Sequence, residues 1–373
     1  MSYGNAKTEC ELTMNAPVLF ITRKWAPASG GMETYSMRLT EAMEVLERTQ
    51  IVSLRGQTNG MPPGWFELLS FPITVIVSCL RRPTAPKILH LGDMAIWPFG
   101  FLTLIWRRAA LVISAHGTDV AYHRRGGIAG SLYGAYLRIG AFLLGQRATI
   151  IANSSATREV TAETGWKNIE VVPLASDFDA SGTPKVGSQT ILFAGRLVKR
   201  KGLSWFVDTV LPLLPSEFSL EVAGPIWDES EEKALSDPRV QFLGALPQDK
   251  LANRFAEALC VIIPNIEPKN GEYEGFGLVA PEAAAAGGVV LAADHGGLTD
   301  AVLHNETGFL LQAGNAAAWA NAIKDIANWP AEHRADWCEK ATARSRTYYS
   351  WERVAKDTLS VYQKALRMND YTI

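Results

Sequence analysis

Thr190-Ile-Leu-Phe-Ala-Gly-Arg-Leu-Val-Lys-Arg-Lys-Gly202 begins as a short apolar run, passes a glycine, and becomes a basic loop. Leu203–Leu214 then follows with helical spacing. A continuous apolar run of this length suits a strand buried on both faces, and a strand that feeds a helix is half of a parallel β-α-β unit. The pattern recurs in both directions. Upstream, Val18–Thr22, Ile51–Leu54, Ile88–Leu91, Leu111–Ala115, Thr149–Ala152 and Glu170–Val172 read as buried strands. Downstream, Leu220–Ala223, Val240–Leu243, Cys260–Ile263, Val289–Ala292 and Phe309–Leu311 do the same. Helices are expected between them at Glu33–Glu47, Leu132–Leu144, Leu203–Leu214 and Ala316–Ala327. Two such series predict two doubly wound α/β domains, with ligands at the carboxyl ends of the strands.

The chain length of 373 residues fits two cores better than one. The polar stretch Ser176–Ser188, with Gly182, Pro184 and Gly187, marks the boundary, giving domains 1–178 and 179–350. Met14 precedes the first strand, so the first dozen or so residues read as a loose extension. A last helix, 351–366, follows Ser350 as N-cap. Apolar residues make up 47% of the chain and charged residues 20%, which excludes a disordered or collagen-like chain. Cys10, Cys79, Cys260 and Cys338 have no paired or metal-like spacing and read as reduced thiols of a cytoplasmic protein. No segment reads as long and clean enough to span a membrane, Phe71–Leu80 being too short and Ala95–Trp106 interrupted by Pro98 and Gly100.

Charge is uneven. Through Phe178 there are 17 Lys and Arg against 13 Asp and Glu, a net of +4, and the remainder carries −6. Arg81-Arg82, Arg107-Arg108 and Arg124-Arg125 fall in the basic half. Most such pairs are solvated surface. They also suit a phosphate-bearing acceptor or an anionic membrane face met peripherally, with Trp65-Phe66 and Trp97 as aromatic candidates.

The candidate site residues fall just after strands. Gly30 and Gly31 open a helix, where a backbone without side chains approaches a ligand closely, although a tight turn explains them as well. His116, with Gly117 and Asp119, ends a strand. Arg196 and Lys201 stand five residues apart at a strand end, which suits a diphosphate: Arg forks across two oxygens and Lys supplies a point charge. Glu274 and Glu282 bracket Gly275-Phe276-Gly277-Leu278, and paired carboxylates hold sugar hydroxyls or work as acid and base.

In this order the residues resemble the retaining glycosyltransferases of the GT-B fold, family 4. The matching stretches are Pro27-Ala-Ser-Gly-Gly-Met-Glu33, His116-Gly-Thr-Asp119, Gly195-Arg196 with Lys201, Gly224-Pro225, Phe242-Leu243-Gly244, Tyr273-Glu-Gly-Phe-Gly-Leu-Val-Ala-Pro-Glu282 and Ser350-Trp351. The resemblance implies an acceptor-binding first domain and a donor-binding second domain facing an interdomain cleft, with the last helix packed back on the first. It implies that Glu282 binds the donor ribose and that Arg196 and Lys201 hold the diphosphate. Gly30 and Gly31 approach the phosphates. Glu274 and the N–H groups of Gly275, Phe276, Gly277 and Leu278 hold the sugar, and His116 stands beside it. Gly224 and the segment around Leu243 line the nucleotide. It further implies transfer from a UDP- or GDP-type sugar to a saccharide, one linked to lipid in surface polysaccharide, lipopolysaccharide or glycolipid synthesis. The resemblance also implies that no metal or other cofactor is required and that no nucleic acid is a partner. An epimerase or hydrolase of the same architecture, or a non-catalytic nucleotide-sugar-binding subunit, stays open as an alternative.

Two features depart from the family pattern. Asp177-Phe-Asp179 has the Asp-x-Asp form of metal-dependent transferases of another fold and reads here as a solvated turn. The loop Asn265–Tyr273, with Glu267, Lys269 and Glu272, is longer than usual and reads as a surface insertion or as a device that tunes the donor sugar.

Overall fold

The structure is a computed structural model and describes residues 17–28, 30–178, 187–266 and 273–370. The expected loose N-terminus, Asp179, most of the linker, and Glu267, Lys269 and Glu272 lie outside the described residues. The chain divides into two compact units: Met1–Val172 together with Trp351–Ile373, and Pro173–Ser350.

The first unit is built on β1 (Val18–Trp25), β2 (Thr49–Arg55), β3 (Ile88–Leu91), β4 (Ala110–Ala115), β5 (Ala148–Ala152) and β6 (Ile169–Val171). All pair in parallel, in the order β2-β1-β3-β4-β5-β6. Every residue of β3, β4 and β5 is buried, because helices cover both faces of a parallel sheet. The chain steps from β1 to β2 in one direction, through α1 (Gly31–Glu44), and thereafter in the other. Right-handed crossovers therefore put α1 on one face. They put α2 (Trp65–Leu80), the turns Met94–Ile105 and α3 (Gly127–Leu144) on the opposite face. The C-terminal helix Trp351–Asp370 joins α1, packing against it and against β4 and β5. The Tyr362 hydroxyl reaches His90 Nδ1 at 2.6 Å, His90 Nε2 lies 2.7 Å from Ser114 Oγ, and Tyr35 closes the chain at 2.9 Å from that oxygen. Burial holds the His90 ring neutral, its pKa pushed down to about 3.

The second unit repeats the plan. Its strands are β7 (Thr190–Ala194), β8 (Ser219–Ala223), β9 (Val240–Gly244), β10 (Cys260–Ile263), β11 (Val290–Ala293) and β12 (Phe309–Leu311). They form one parallel sheet in the order β12-β11-β10-β7-β8-β9. The chain runs outward from β7 to β9, returns to the other side of β7 as β10, and runs outward again. Its helices include α4 (Gln248–Glu257), α5 (Val279–Ala285), α6 (Ala316–Ala327) and α7 (Ala331–Tyr348). Arg334 on α7 donates to the Ala258 and Leu259 carbonyls at 2.7 and 2.8 Å, fastening that helix to the start of β10.

Two expectations need correction, and a third gains detail. The second unit starts at Pro173, because Phe178 packs on Phe255 at 5.5 Å and the Ser176 N–H donates to the Tyr349 carbonyl. Leu203–Leu213 is one helical run, as expected, wound wider over Phe206–Val210 and tighter over Leu211–Leu213, where Pro212 lacks an N–H. A membrane-length apolar segment does occur. Among the described residues α3 is long and apolar enough to cross a membrane by length and composition, with a mean hydropathy of 1.3. One face of it nonetheless packs in the unit: Gly130 and Gly134 meet His123 and its flanking carbonyls, and Gly140 meets Trp97 and Trp166.

Candidate functional site

In an open doubly wound sheet the crevice forms where neighbouring strands send their chains opposite ways, at the carboxyl ends. In the second unit that place lies between β7 and β10. The loop after β7 delivers Arg196, Arg200 and Lys201 there, and the loop after β10 delivers Asn265 and Glu274. The Lys201 ammonium lies 2.5 Å from Glu274 Oε2, and Arg200 Nε lies 3.8 Å from the same oxygen. The Asn265 amide donates to it at 3.3 Å. Burial opposes the charge on Glu274, but the nearby Lys201 and Arg200 outweigh it, and the carboxyl sits below the usual range. Glu282, in the first turn of α5, is displaced the other way. Burial lifts it to about 7, with Asp177 adding to the rise and Lys201 opposing it. The two predicted glutamates thus differ in protonation, one held ionised and one poised near neutrality.

Close backbone packing forms the walls. Gly224 has φ 145°, in the region that favours glycine, and a Cβ there would overlap the Gly195 carbonyl. Its N–H donates to the Gly244 carbonyl at 2.8 Å, tying the end of β8 to the end of β9, where Leu243 is half-buried. Gly277 has φ 94° and seats the turn Gly275–Leu278 against Leu298. The Gly297 N–H donates to the Glu274 carbonyl at 2.9 Å. The Phe276 ring is buried, 6.1 Å from the Tyr349 ring, so it anchors the turn and leaves only backbone for a ligand. Arg196 is exposed and lies over the Trp227 ring at 4.5 Å.

Of the residues expected in the second unit, Lys201 and Glu274 are brought into direct contact, and Glu282 shares their electrostatic field. Arg200 and Asn265 were not singled out individually by sequence. Both carried the strand-end signal, since Arg200 lies in the quoted basic loop and Asn265 two residues past β10.

The first unit has the same topology and a switch point between β1 and β3. There Arg23 Nε, from the end of β1, bonds Asp93, two residues past β3, at 3.1 Å. His116 directly follows β4 and is buried. Its Nε2 lies 2.9 Å from the Gly92 carbonyl, which can only accept, so Nε2 carries the proton and donates. Asp119 accepts from the His116 N–H at 2.8 Å and from the Met94 N–H at 3.1 Å, so it positions the loop. The Tyr35 ring stands edge-on to His116 at 4.5 Å. Gly30 and Gly31 begin α1. Gly30 is extended and lies beside Glu33, whose carboxylate is 3.4 Å from the Lys24 ammonium. Arg23 and Asp93 were not expected. Asp93 could have been found by its place just past a strand. Among the described residues no group of three or more His, Cys, Asp or Glu is placed to hold a metal ion.

Residues 188–328 match the family model for glycosyl transferases group 1. The matched residues lie within the second unit, which is thus similar to the glycosyl transferases group 1 family. The D-inositol 3-phosphate glycosyltransferase of Streptomyces avermitilis is 32% identical over 192 residues, covering 47% of this chain and 40% of that protein. The glycogen synthase of Mycobacterium tuberculosis is 26% identical over 306 residues, covering 77% of this chain and 70% of that protein. Anabaena HepE, solved in complex with UDP and glucose, superposes with a TM-score of 0.66 at 18% identity, covering 94% of this chain and all of that one. The likeness to that structure and the two six-stranded parallel sheets place the chain in the GT-B fold. The matched segment contains Arg196, Lys201, Gly224, Leu243, Glu274 and Glu282.

Proposed function

We propose that the chain is a retaining glycosyltransferase that moves a sugar from a UDP- or GDP-type donor to a saccharide acceptor. We further propose that the acceptor is lipid-linked and that the enzyme works on the cytoplasmic side of a membrane, in surface polysaccharide or glycolipid synthesis. The observation that carries the reading is the Lys201–Glu274 pair at the switch point of the unit similar to the glycosyl transferases group 1 family. An ammonium with three protons can hold Glu274 with one and face a diphosphate with the others. Arg196, exposed in the same loop, adds a second cation. Together they stabilise the leaving diphosphate, so no metal is needed.

Glu282 holds the ribose hydroxyls, and the N–H groups of Gly275–Leu278 with Glu274 orient the donor sugar. Glu274 is engaged by Lys201, Arg200 and Asn265, which suits binding better than covalent attack. Attack from the front face then leaves the anomeric configuration retained, with the departing phosphate taking the acceptor proton. The first unit serves the acceptor and supplies His116. The UDP and glucose bound by the Anabaena neighbour favour a UDP-sugar.

The test is a thermal-shift screen against UDP, GDP, ADP and their sugars, followed by transfer from the donor that binds. A ligand that binds the native chain raises its apparent stability. Release of a free epimerised sugar from donor alone would replace transfer with epimerisation. No shift with any nucleotide would remove the donor site.

A further inference from the structure

We propose that one face of the first unit, the outer surface of α2, the turn Leu102–Ile105 and α3, is a membrane-seating surface for an anionic lipid bilayer. The proposal deepens the lipid-linked reading of the acceptor and rests on it for its purpose, though not for its evidence. Among the described residues, 16 of the 25 large exposed apolar side chains lie on Trp65–Leu80, Phe101–Ile105 and Ile128–Leu143. Handedness of the crossovers puts these elements on the same face of the sheet. They are also side by side: Phe71 of α2 meets Phe99 at 5.8 Å, and Trp97 meets Tyr136 of α3 at 5.1 Å.

The helices carry their apolar groups on the wrong side for a water-facing layer. On α2 the exposed residues Phe66, Leu69, Ile73, Ile76 and Leu80 recur every three or four positions, a helical stripe turned outward, while Phe71 and Val75 face in. On α3 the glycines Gly130, Gly134 and Gly140 face the protein, and Ile128, Leu132, Ile139 and Phe142 face out. Phe142 is 88% exposed and Ile128 82%. Isolated exposed apolar groups are ordinary, but a contiguous set on adjacent helices marks an interaction surface.

Charge selects the partner. Across residues 65–82, 94–108 and 122–147 there are eight arginines and one acid, Glu67. Arg81, Arg107, Arg108 and Arg147 follow the carboxyl ends of the helical segments and are exposed, so they form a basic rim on one side of the apolar face. Arg125, before α3, lies on the other side, next to Arg124, which is paired with Glu163 at 2.5 Å. The opposite face of the sheet is ordinary by contrast. There α1 and the C-terminal helix show water-facing ion pairs such as Arg38–Glu41 and Lys356–Glu352. An apolar face rimmed by arginines is what lies in the plane of an anionic interface. With its glycine face packed in the unit, α3 lies on the bilayer and does not cross it.

The experiment is flotation of the full chain with vesicles of phosphatidylglycerol and phosphatidylethanolamine, against vesicles of phosphatidylcholine alone. The expected result is binding to the anionic vesicles, weakened by salt. The double variant Leu69→Glu with Phe142→Glu should lose binding by about a hundredfold or more. Arg107→Ala and Arg108→Ala should each cost about fivefold on anionic vesicles. Circular dichroism melting of each variant reports whether it is folded, and the arginine variants leave the apolar core untouched. Failure of the wild type to float with any vesicle would overturn the proposal. So would unchanged binding of the folded double variant, or a dimer in place of vesicle binding that Leu69→Glu dissolves. Sugar transfer to a soluble acceptor, assayed without vesicles, reads separately. A chain that transfers but does not float sinks only the membrane face, and one that floats but never transfers sinks only the enzymatic reading.

Discussion

Replacing Lys201 by Met tests the second-unit site on both stability and activity. The Lys201 ammonium is 2.5 Å from Glu274, and the two side chains are only 8% and 15% exposed. Removing one partner of a buried pair leaves the other charge uncompensated, which costs about 3–5 kcal/mol in general. Arg200 at 3.8 Å and the Asn265 amide at 3.3 Å still face Glu274, so the lower end, about 3 kcal/mol, is expected. For a unit of this size that is a fall in melting temperature of roughly 6–12 °C. In the double variant Lys201→Met with Glu274→Gln the orphaned charge is gone, and about 2 kcal/mol should return.

Activity should not return with it. If Lys201 stabilises the leaving diphosphate, turnover falls about 100- to 1000-fold in the single variant and stays low in the double. The assay is a differential calorimetry scan beside initial rates of transfer, with both variants and Glu274→Gln completing the cycle. Turnover near wild type in Lys201→Met would refute the phosphate role. A double variant no more stable than Lys201→Met would refute the buried-pair argument.

Glu282, lifted to about 7, should make nucleotide binding pH-dependent: as pH falls from 8 to 6 the carboxylate is lost and the Kd rises, up to about tenfold, with Glu282→Gln flattening the profile in calorimetric titrations. The same residue has a stability signature. The folded chain keeps its proton to about 7 while the unfolded chain releases it near 4.5, so Glu282 costs stability as pH rises between them, and Glu282→Gln should melt higher at pH 8. His90 acts with the opposite dependence. Its ring is neutral in both states above 6.5, but below that the unfolded chain takes a proton that the folded one refuses down to about 3, so stability falls by about 1.4 kcal/mol per pH unit, and in urea titrations His90→Asn should remove that slope. Treatment with a chelator should leave the transfer rate unchanged; a tenfold loss restored by added divalent metal would contradict charge stabilisation by Arg196 and Lys201 alone.

The buried strands were legible because a strand covered on both faces needs an unbroken apolar run. Thr190–Ala194, Ile88–Leu91 and Cys260–Ile263 accordingly fall where the sequence places them, as does the half-buried edge strand Phe309–Leu311. Helices were legible where they are amphipathic, as at Ala316–Ala327, and where a long apolar run has helical length, as at Leu132–Leu144 within α3. Trp65–Leu80 was missed as a whole because it is apolar on both faces and contains Pro72. Ala331–Tyr348 was missed because its few buried positions lie among many charges. The strand-end rule found Lys201 and Glu274, but it could not pair them. Their contact depends on β10 returning to lie beside β7, a non-local choice that neither segment encodes alone.

The two switch points also show why one topology serves two purposes. Each holds an ion pair between the first strand and the strand on its other side: Arg23 with Asp93 in the first unit, Lys201 with Glu274 in the second. In the first the acid is committed to the fold. Asp93 is fully buried, its Oδ1 accepts from the Ala95 N–H as well as from Arg23, and burial, opposed by Arg23, leaves its pKa raised. In the second, capacity is left over. Asn265 is buried, yet its Oδ1 has no hydrogen-bond partner among the described residues, and Glu274 uses only one of the three Lys201 protons. A buried acceptor without a partner costs about 1–3 kcal/mol unless something fills it. A donor with hydroxyl groups for Asn265 and phosphate oxygens for Lys201 would satisfy both. Asn153 Oδ1, beside His116 in the first unit, is also without a hydrogen-bond partner among the described residues, so the spare Lys201 protons next to Asn265 add to the pair itself as support for the proposed donor site in the second unit.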